Sequence, residues 1–199
     1  GRNGGGGEPT ALLARIVEIS NSNIQVENRL KHICDFLSRE TRSACVCIYR
    51  REKRGEDLAP WVSSCIDIEE CALMDFVVRP GEGVSGKAAG KRAPVFFPDV
   101  KTNPPTFAVP RELRDFTSIL SVPIMDDVYL YGVMNFSTLA PASYTDEDLT
   151  FLGSVATEVA GTIRNSRLYN DARKRVSELI TLNEIGHAIS STFEVKGTL

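Results

Sequence analysis

The sequence lacks a long apolar run, an excess of positive charge and a clustered set of metal ligands. No hydrophobic stretch approaches the roughly eighteen residues that cross a bilayer, so we expect no membrane insertion in this segment. The formal net charge of −3 and the pI near 5.5 give no electrostatic footprint for nucleic acid. The two histidines are unpaired in sequence and no Cys-x-x-Cys spacing occurs, so we expect no metal and no cofactor.

Cysteine is present in an odd number. The five cysteines lie within apolar periodic segments, which favours reduced thiols in a cytoplasmic protein over a disulfide framework. The first ten residues, GRNGGGGEPT, are too rich in glycine to order themselves and are interpreted as a linker or tag remnant.

The stretch from 80 to 100, PGEGVSGKAAGKRAPVFFPDV, is the most distinctive part of the chain. Its glycines permit positive φ and close backbone approach, Val84 to Ala89 predicts a short slim helix, and Val95 to Phe97 predicts a strand. The first seven positions of a phosphate-binding P-loop are matched, but Ala88 stands where a hydroxyl would hold the metal, and Pro94 ends the helix early. A nucleotide hydrolase is therefore disfavoured, while a plain connection between strands stays open.

Hydrophobic periodicity predicts the remaining elements. A capping box, Ser22-x-x-Gln25, is expected to open the second helix, and prolines around Val100 to Phe116 predict a shaped loop with a short helix over 111–116. The other predictions, in chain order, are helices over 12–19 and 26–37, strands over 43–49 and 61–66, a helix over 67–71, a strand over 75–78, and a hairpin over 118–125 and 128–137.

A long helix is predicted after Thr145, which suits an N-cap and precedes three acidic residues. Apolar residues recur every three to five positions from Leu149 to Leu182, further than one domain surface extends. We therefore expect the helix to pack against its own copy in a homodimer. The candidate dimer residues are Leu152, Val155, Val159, Ile163 and Leu168.

The end of the chain resembles its beginning. With an offset of 169, five identities fall within eighteen positions, from Leu13 and Leu182 to Leu30 and Leu199. The match predicts that the chain enters a second copy of the same module. The expected organisation is a linker over 1–10, a domain over 11–165, a helical linker over 166–182 and the start of a truncated second module over 183–199.

Four motifs together resemble a GAF domain over about residues 11 to 168. The GEGVSG turn and its slim helix resemble the centre of that family. SILSVPI, YGVMNF and YTDEDL follow in the family's order and spacing, starting at Ser118, Tyr131 and Tyr144. The resemblance implies an α+β, PAS-like fold whose central antiparallel sheet carries the N- and C-terminal helices on one face and a loop-lidded pocket on the other.

The resemblance also implies a function. Members of this family act as non-catalytic sensors of small molecules and report occupancy through flanking helices to an output domain such as a histidine kinase, a diguanylate cyclase or a phosphotransferase. We expect such a role in the cytoplasm, in bacterial signal transduction. The ligand-contacting residues expected from the match are Val84, Ser85, Phe97, Asp99, Phe107, Phe116, Ser118 and Leu120.

Three alternatives within the family are weighed against the sensor. Cyclic-nucleotide binding is disfavoured because no Asn-Lys pair occurs and Leu149 stands where the family's motif has glutamate. Reduction of free methionine sulfoxide needs a cysteine in the turn, where this chain has Ser85, and no cysteine follows Cys71. A ligand-free dimerisation spacer remains open.

Overall fold

A computed structural model describes residues 8–52, 55–65, 77–100 and 116–196, with side chains in the last range described up to residue 185. The chain divides into two compact units, Gly1–Thr162 and Ile163–Leu199. Outside the described residues lie the predicted helix over 67–71, all but the last residue of the helix predicted over 111–116, and the loop residue Phe107. The domain boundaries proposed from the sequence stay predictions.

Helices and strands follow one another much as hydrophobic periodicity predicts. The strands form one antiparallel sheet in the order β2-β1-β5-β4-β3, which confirms the α+β class. The elements are α1 (Pro9–Ser20), α2 (Val26–Glu40), β1 (Cys45–Arg51), β2 (Leu58–Cys65), α3 (Gly83–Lys91), β3 (Val95–Phe97), β4 (Ser118–Met125), β5 (Leu130–Thr138) and α4 (Asp146–Lys196).

The sheet is buried on both faces. On one face, Cys47, Tyr49 and Val133 form a cluster with Ala88 of α3. On the other face, α2 packs against β1 and β2, and the first part of α4 supplies further buried apolar residues. Alternation along the strands places these side chains on this second face: Val46, Ile48, Leu120, Val122, Met134 and Phe136, each at most 1% exposed.

Local chemistry differs from the sequence prediction at the start of α2. The expected capping box does not form, because Gln25 is the N-cap without a side-chain hydrogen bond, and the Ser22 hydroxyl donates instead to the Ile19 carbonyl. Ser22 therefore satisfies the end of α1 rather than the beginning of α2.

Two predictions about strands can be compared with the structure: the strand over 75–78 and the position of Pro123. Half of the strand predicted over 75–78 lies outside the described residues, and Val78 forms an isolated bridge with Leu58 through two backbone hydrogen bonds of 2.8 and 2.9 Å. Pro123 does lie within β4, opposite Val133. The partners of β3 on β4 are residues 119–121, so Pro123 lies beyond that ladder and its missing N–H does not interrupt it.

The prediction of uniformly reduced thiols was wrong. Cys45, the first residue of β1, is bonded to Cys65, the last residue of β2, and these two residues are direct partners in the sheet register. Cys34 and Cys47 are free and buried, while Cys71 lies outside the described residues. The sequence could not signal this pair, because the register that opposes the two residues is set by the sheet.

Helix α4 begins with the predicted cap. The Asp148 N–H donates to the Thr145 hydroxyl at 3.2 Å, and the Thr145 N–H donates to the Asp148 carboxylate at 2.8 Å. This is a capping box with aspartate at the third helical position. In the described part of the chain, no helix has both the length and the apolar character needed to cross a bilayer.

Candidate functional site

The turn before α3 needs glycine for two separate reasons. Gly81 and Gly83 have φ values of +81° and +58°, in the left-handed region that side chains disfavour. A Cβ on Gly86 would collide with the Arg79 carbonyl oxygen and would lie 3.0 Å from the Gly81 nitrogen. These glycines let α3 fold closely back over the 79–81 turn.

A buried polar cluster joins α3 to the sheet. The Asn135 side-chain amide donates to the Ser85 hydroxyl at 2.8 Å, and the Ser121 hydroxyl donates to the Asn135 amide oxygen at 2.5 Å. All three residues are at most 8% exposed. Because each polar group is satisfied by another, the cluster fixes the position of α3 over β4 and β5.

The floor beneath α3 carries polar side chains that stay uncharged. Ser63, Cys47, Asn135 and Ser121 are partners in register across β2, β1, β5 and β4. Burial raises the pKa of the Cys47 thiol to about 12. The pKa of Tyr49 is raised well above its usual value, mainly by burial and further by the nearby Cys47. Both groups are therefore protonated at neutral pH.

Charged side chains at the ends of α3 and β3 complete the surroundings. The Lys87 ammonium lies 5.2 Å from the centre of the Phe97 ring, a cation–π distance that links α3 to β3. Arg92 caps α3 in the left-handed conformation, and its guanidinium donates to the Val128 carbonyl at 3.2 Å. Asp99 follows β3 and is partly exposed.

Several residues predicted to contact a ligand lie on this face of the sheet. Ser85 belongs to the polar cluster, Val84 is buried on α3, Phe97 contacts Lys87, and Phe116 packs in the cluster that contains Ala88. We call the face under α3 the α3 site, with Tyr49, Ser85, Phe97, Phe116, Ser121 and Asn135 as its defining residues.

Ser118 and Leu120 need a correction. Leu120 is opposite Phe136, on the face away from α3, and is fully buried. The Ser118 hydroxyl bonds the Pro98 carbonyl at 2.8 Å and accepts from the Ala142 N–H at 2.8 Å. Strand alternation directs the Ser118 side chain away from the α3 site. Its hydroxyl instead links the residue after β3 to the segment before α4.

Sequence reasoning missed Tyr49, Ser121 and Asn135. Each lies on a strand that was predicted correctly, and each alternates with apolar residues of the opposite face. Period-two alternation could have grouped them within one strand, but only the register shows that Ser121 and Asn135 are partners.

The candidate dimer residues on α4 fall into two groups. Leu152, Val155, Val159 and Ile163 are at most 2% exposed within the single chain, so their apolar surface is already covered, whereas Leu168 is 62% exposed. The candidate dimer residues therefore do not share one environment: those up to Ile163 are covered within the single chain, whereas Leu168 is open to solvent. We call six of the exposed residues the C-terminal apolar face: Leu168, Tyr169, Val176, Leu179, Ile180 and Leu182.

Metal chemistry finds no support among the described residues. No group of three or more histidine, cysteine, aspartate or glutamate side chains there is arranged to hold an ion. Burial raises the pKa of the free Cys34 thiol, as it does that of Cys47. Both sulfurs therefore behave as apolar core atoms rather than as nucleophiles.

Solved structures of low sequence identity share this fold. The GAF domain of a Coxiella burnetii phosphoenolpyruvate-protein phosphotransferase is 17% identical with a TM-score of 0.73, covering 82% of this chain and 96% of that one. The free methionine-R-sulfoxide reductase of Neisseria meningitidis is 20% identical with a TM-score of 0.69, covering 81% and 91%. The A. aeolicus nlh2 GAF domain is 18% identical with a TM-score of 0.63, covering 78% and 95%.

Sequence comparison gives the family. No curated protein matches the chain at a significant level. A family model for the GAF domain matches residues 24–164, more than half of the sequence and the region that contains the sheet and α3. The chain therefore belongs to the GAF domain family.

Proposed function

We propose that this GAF domain is a non-catalytic sensor, in bacterial signal transduction, of a small molecule that binds at the α3 site. Occupancy is relayed through a dimeric C-terminal helix to an output domain of the histidine kinase, diguanylate cyclase or phosphotransferase type. GAF domains are generally regulatory domains that bind small molecules. The observation that carries the proposal is the C-terminal apolar face, whose side chains are between 55% and 65% exposed in the single chain.

A second copy of the chain is the partner that fits this face. Tyr169, Ala172, Val176 and Leu179 are separated by three or four residues, the spacing of a coiled-coil seam. The Lys174–Glu178 ion pair lies away from that seam. Two copies related by a two-fold axis can bury the same face against itself without a second kind of surface.

The relay is a population shift. Ligand at the α3 site favours one arrangement of α3 on the sheet, and the paired α4 helices rotate or slide between two packings. Coupling free energies of about 1–3 kcal/mol are enough for such control. The floor favours a ligand with an uncharged hydrogen-bonding part, since Cys47 and Tyr49 stay protonated and Ser121 and Asn135 are neutral.

The dimer is tested by light scattering after size exclusion. We expect a dimer for the wild-type chain at micromolar concentration and a folded monomer for the double variant Val176→Asn/Leu179→Asn, because asparagine disfavours burial in the seam. Lys174→Ala, on the polar side of the same helix, is the matched control and should stay dimeric. A wild-type chain that is monomeric at every concentration contradicts the proposal.

Ligand binding is tested by thermal shift with small acids, nucleotides and metabolites. A ligand at about 100 times its dissociation constant adds roughly 2.7 kcal/mol to the free energy of unfolding. The shift should saturate in wild type, weaken in Phe97→Ala at the α3 site and persist in His32→Ala, which changes an exposed residue on α2. If no compound produces a saturable shift, the domain acts as a ligand-free dimerisation spacer.

We propose further that the domain is not an enzyme. Ser85 stands where the reductases of the family use cysteine, and its hydroxyl is held by Asn135, with no histidine or carboxylate of the described residues among its hydrogen-bond partners. We expect no reduction of free methionine sulfoxide in the presence of a dithiol. Turnover by the wild-type chain contradicts this.

A cytoplasmic location stays a prediction. The Cys45–Cys65 bond fits less easily with it, because cytosolic glutathione and thioredoxin keep most structural thiols reduced. The bond therefore calls for an explanation of its own.

A further inference from the structure

Three sulfur atoms lie on the α3 side of the first two strands. Cys45 and Cys47 are two residues apart on β1 and share a face, and Cys65 on β2 is the direct partner of Cys45. Cys45 and Cys65 are bonded, while Cys47 is free and opposite Ser63. The bond thus closes a ring of chain across the β1–β2 hairpin.

The bonded pair holds an edge strand. Among the described strands only β1 forms a ladder with β2, and that ladder shifts register between Ile48 and Tyr49. Leu58, at the start of β2, also forms an isolated bridge with Val78. Beyond that shift, the end of β2 is held by the ladder over residues 62–65, by a hydrogen bond from Lys31 to the Ser63 carbonyl at 2.6 Å, and by the Cys45–Cys65 bond. Helix α2 also packs against β2, and the Cys45–Cys65 bond is the covalent attachment among these contacts. Loss of the bond should therefore loosen this strand locally.

The same pair adjoins the α3 site. Cys45 belongs to the buried cluster that contains Ala88 and Phe116, and Cys65 and Ala89 pack against that cluster. Cys45 is only 1% exposed, whereas Cys65 is partly exposed, so a reductant reaches the Cys65 sulfur first.

We propose that the Cys45–Cys65 bond is a reversible redox control of β2 and of the α3 site beside it. A thiolate of a small or protein dithiol attacks the Cys65 sulfur, the bond to Cys45 breaks, and Cys45 leaves as a thiolate that takes up a proton. The second thiol of the dithiol then displaces Cys65, so the dithiol becomes a disulfide and both cysteines become thiols. The control of ligand binding rests on the proposed function, but the redox step does not.

Among the four cysteines that the structure describes, exchange is confined to this pair. The free thiols Cys34 and Cys47 are buried, and burial raises the pKa of each, so neither supplies a thiolate at neutral pH. For these four cysteines, reduction and reoxidation should therefore cycle between one bonded and one open form.

The redox state is measured on the whole chain purified without reductant. Alkylation in denaturant should leave Cys45 and Cys65 unmodified before reduction, with the two recovered in one linked peptide, and should modify both after reduction. Reduction should lower the midpoint of thermal unfolding by about 5–10 °C, and oxidised glutathione should restore it. Five modifiable thiols before reduction, or an unchanged midpoint, overturns the proposal.

Variants locate the effect. Cys45→Ser and Cys65→Ser should behave as the reduced form and give no further response to dithiol, whereas Cys47→Ser keeps the bond and should respond like wild type. Trp61, the only tryptophan, lies on β2 and reports by fluorescence on the strand that the bond holds. A Cys47→Ser variant that loses the response overturns the assignment to Cys45 and Cys65. Reduction of the wild-type chain requires no substitution. It therefore tests the reduction of the Cys45–Cys65 bond even if one of the serine variants does not fold.

Hydrogen exchange separates control of the site from a general loss of stability. On reduction, exchange should quicken at least threefold in residues 58–65 and 83–91 and change little in α2. Uniform quickening, or none in 83–91, overturns the coupling to the α3 site. If exchange changes as expected but no ligand ever binds, the redox control stands and the proposed function fails. If a ligand binds equally in both redox states, the proposed function stands and the control of binding fails.

Discussion

The two parts of α4 contain similar apolar residues, but those residues are buried in the first part and exposed in the second. In the first part, Leu152, Val155 and Val159 are at most 2% exposed, within the unit that contains the sheet. In the second part, Leu179 and Leu182 are each 65% exposed. Both parts have apolar residues at helical spacing, so spacing alone does not tell a core face from an interface.

This difference shows that an amphipathic pattern predicts an apolar helix face that must be buried. It does not predict whether that face is buried by the same chain or by a partner. The first part finds cover within its own chain. The second part is a helix that exposes both apolar residues and charged ones, the latter including the Lys174–Glu178 pair. A single helix of that kind gains most of its stability from packing, which is why we assign it to a partner copy.

The largest expected effect is on the buried part. Leu152→Ala should lower the free energy of unfolding by about 2–5 kcal/mol, because a fully packed leucine leaves a cavity when it is truncated. Urea denaturation monitored by circular dichroism measures this. A loss below about 1 kcal/mol would mean that the first part of α4 is not core.

A smaller effect is expected where α4 begins. Thr145→Ala removes the hydroxyl that accepts from the Asp148 N–H and should cost about 1 kcal/mol. Thr150→Ala is the control, since the Thr150 hydroxyl bonds only the Asp146 carbonyl within the helix. Equal costs for the two variants would argue against a capping role for Thr145.

The ion pair of the exposed part should contribute less still. Lys174 and Glu178 are 77% and 60% exposed and 3.8 Å apart. Solvent screening therefore limits Glu178→Gln to a loss of at most about 0.5 kcal/mol. The loss should disappear in 1 M salt, and a cost that survives salt would point to a contact other than this pair.

The smallest effect on the monomer completes the comparison. Leu179→Ala repeats the Leu152 substitution in the same helix, but its side chain is exposed, so the monomer's free energy of unfolding should stay within about 0.5 kcal/mol of wild type. The measurement is made by urea denaturation at a protein concentration below the dissociation constant of the dimer. A cost like that of Leu152→Ala would show that the C-terminal apolar face is covered within the chain.

Much of the fold was predictable from the sequence. The hairpins around β1–β2 and β4–β5, the short strand β3 and the slim helix α3 follow from alternation, turn residues and glycine, and their bounds shift by a few residues only. The capping box at Ser22 failed because a serine near two helix ends can serve either, and here it bonds Ile19.

The candidate site was only partly predictable. Ser85 and Phe97 were found because the α3 segment is recognisable, but Asn135 was missed because nothing in YGVMNFS marks one polar residue as the partner of Ser85. Leu120 was predicted to contact the ligand but lies on the opposite face, because the arrangement of the whole sheet decides which face of a strand is directed towards α3.

The sequence by itself determined the family, the order of helices and strands, and the glycines that let α3 fold over its turn, because these depend on local conformational preferences and on hydrophobic period. Tertiary structure alone decided that Ser85, Ser121 and Asn135 meet, that Cys45 faces Cys65, and that one part of α4 is buried while the other is exposed. The physical reason is that strand register and helix packing join residues far apart in the chain, and no local pattern encodes those distances.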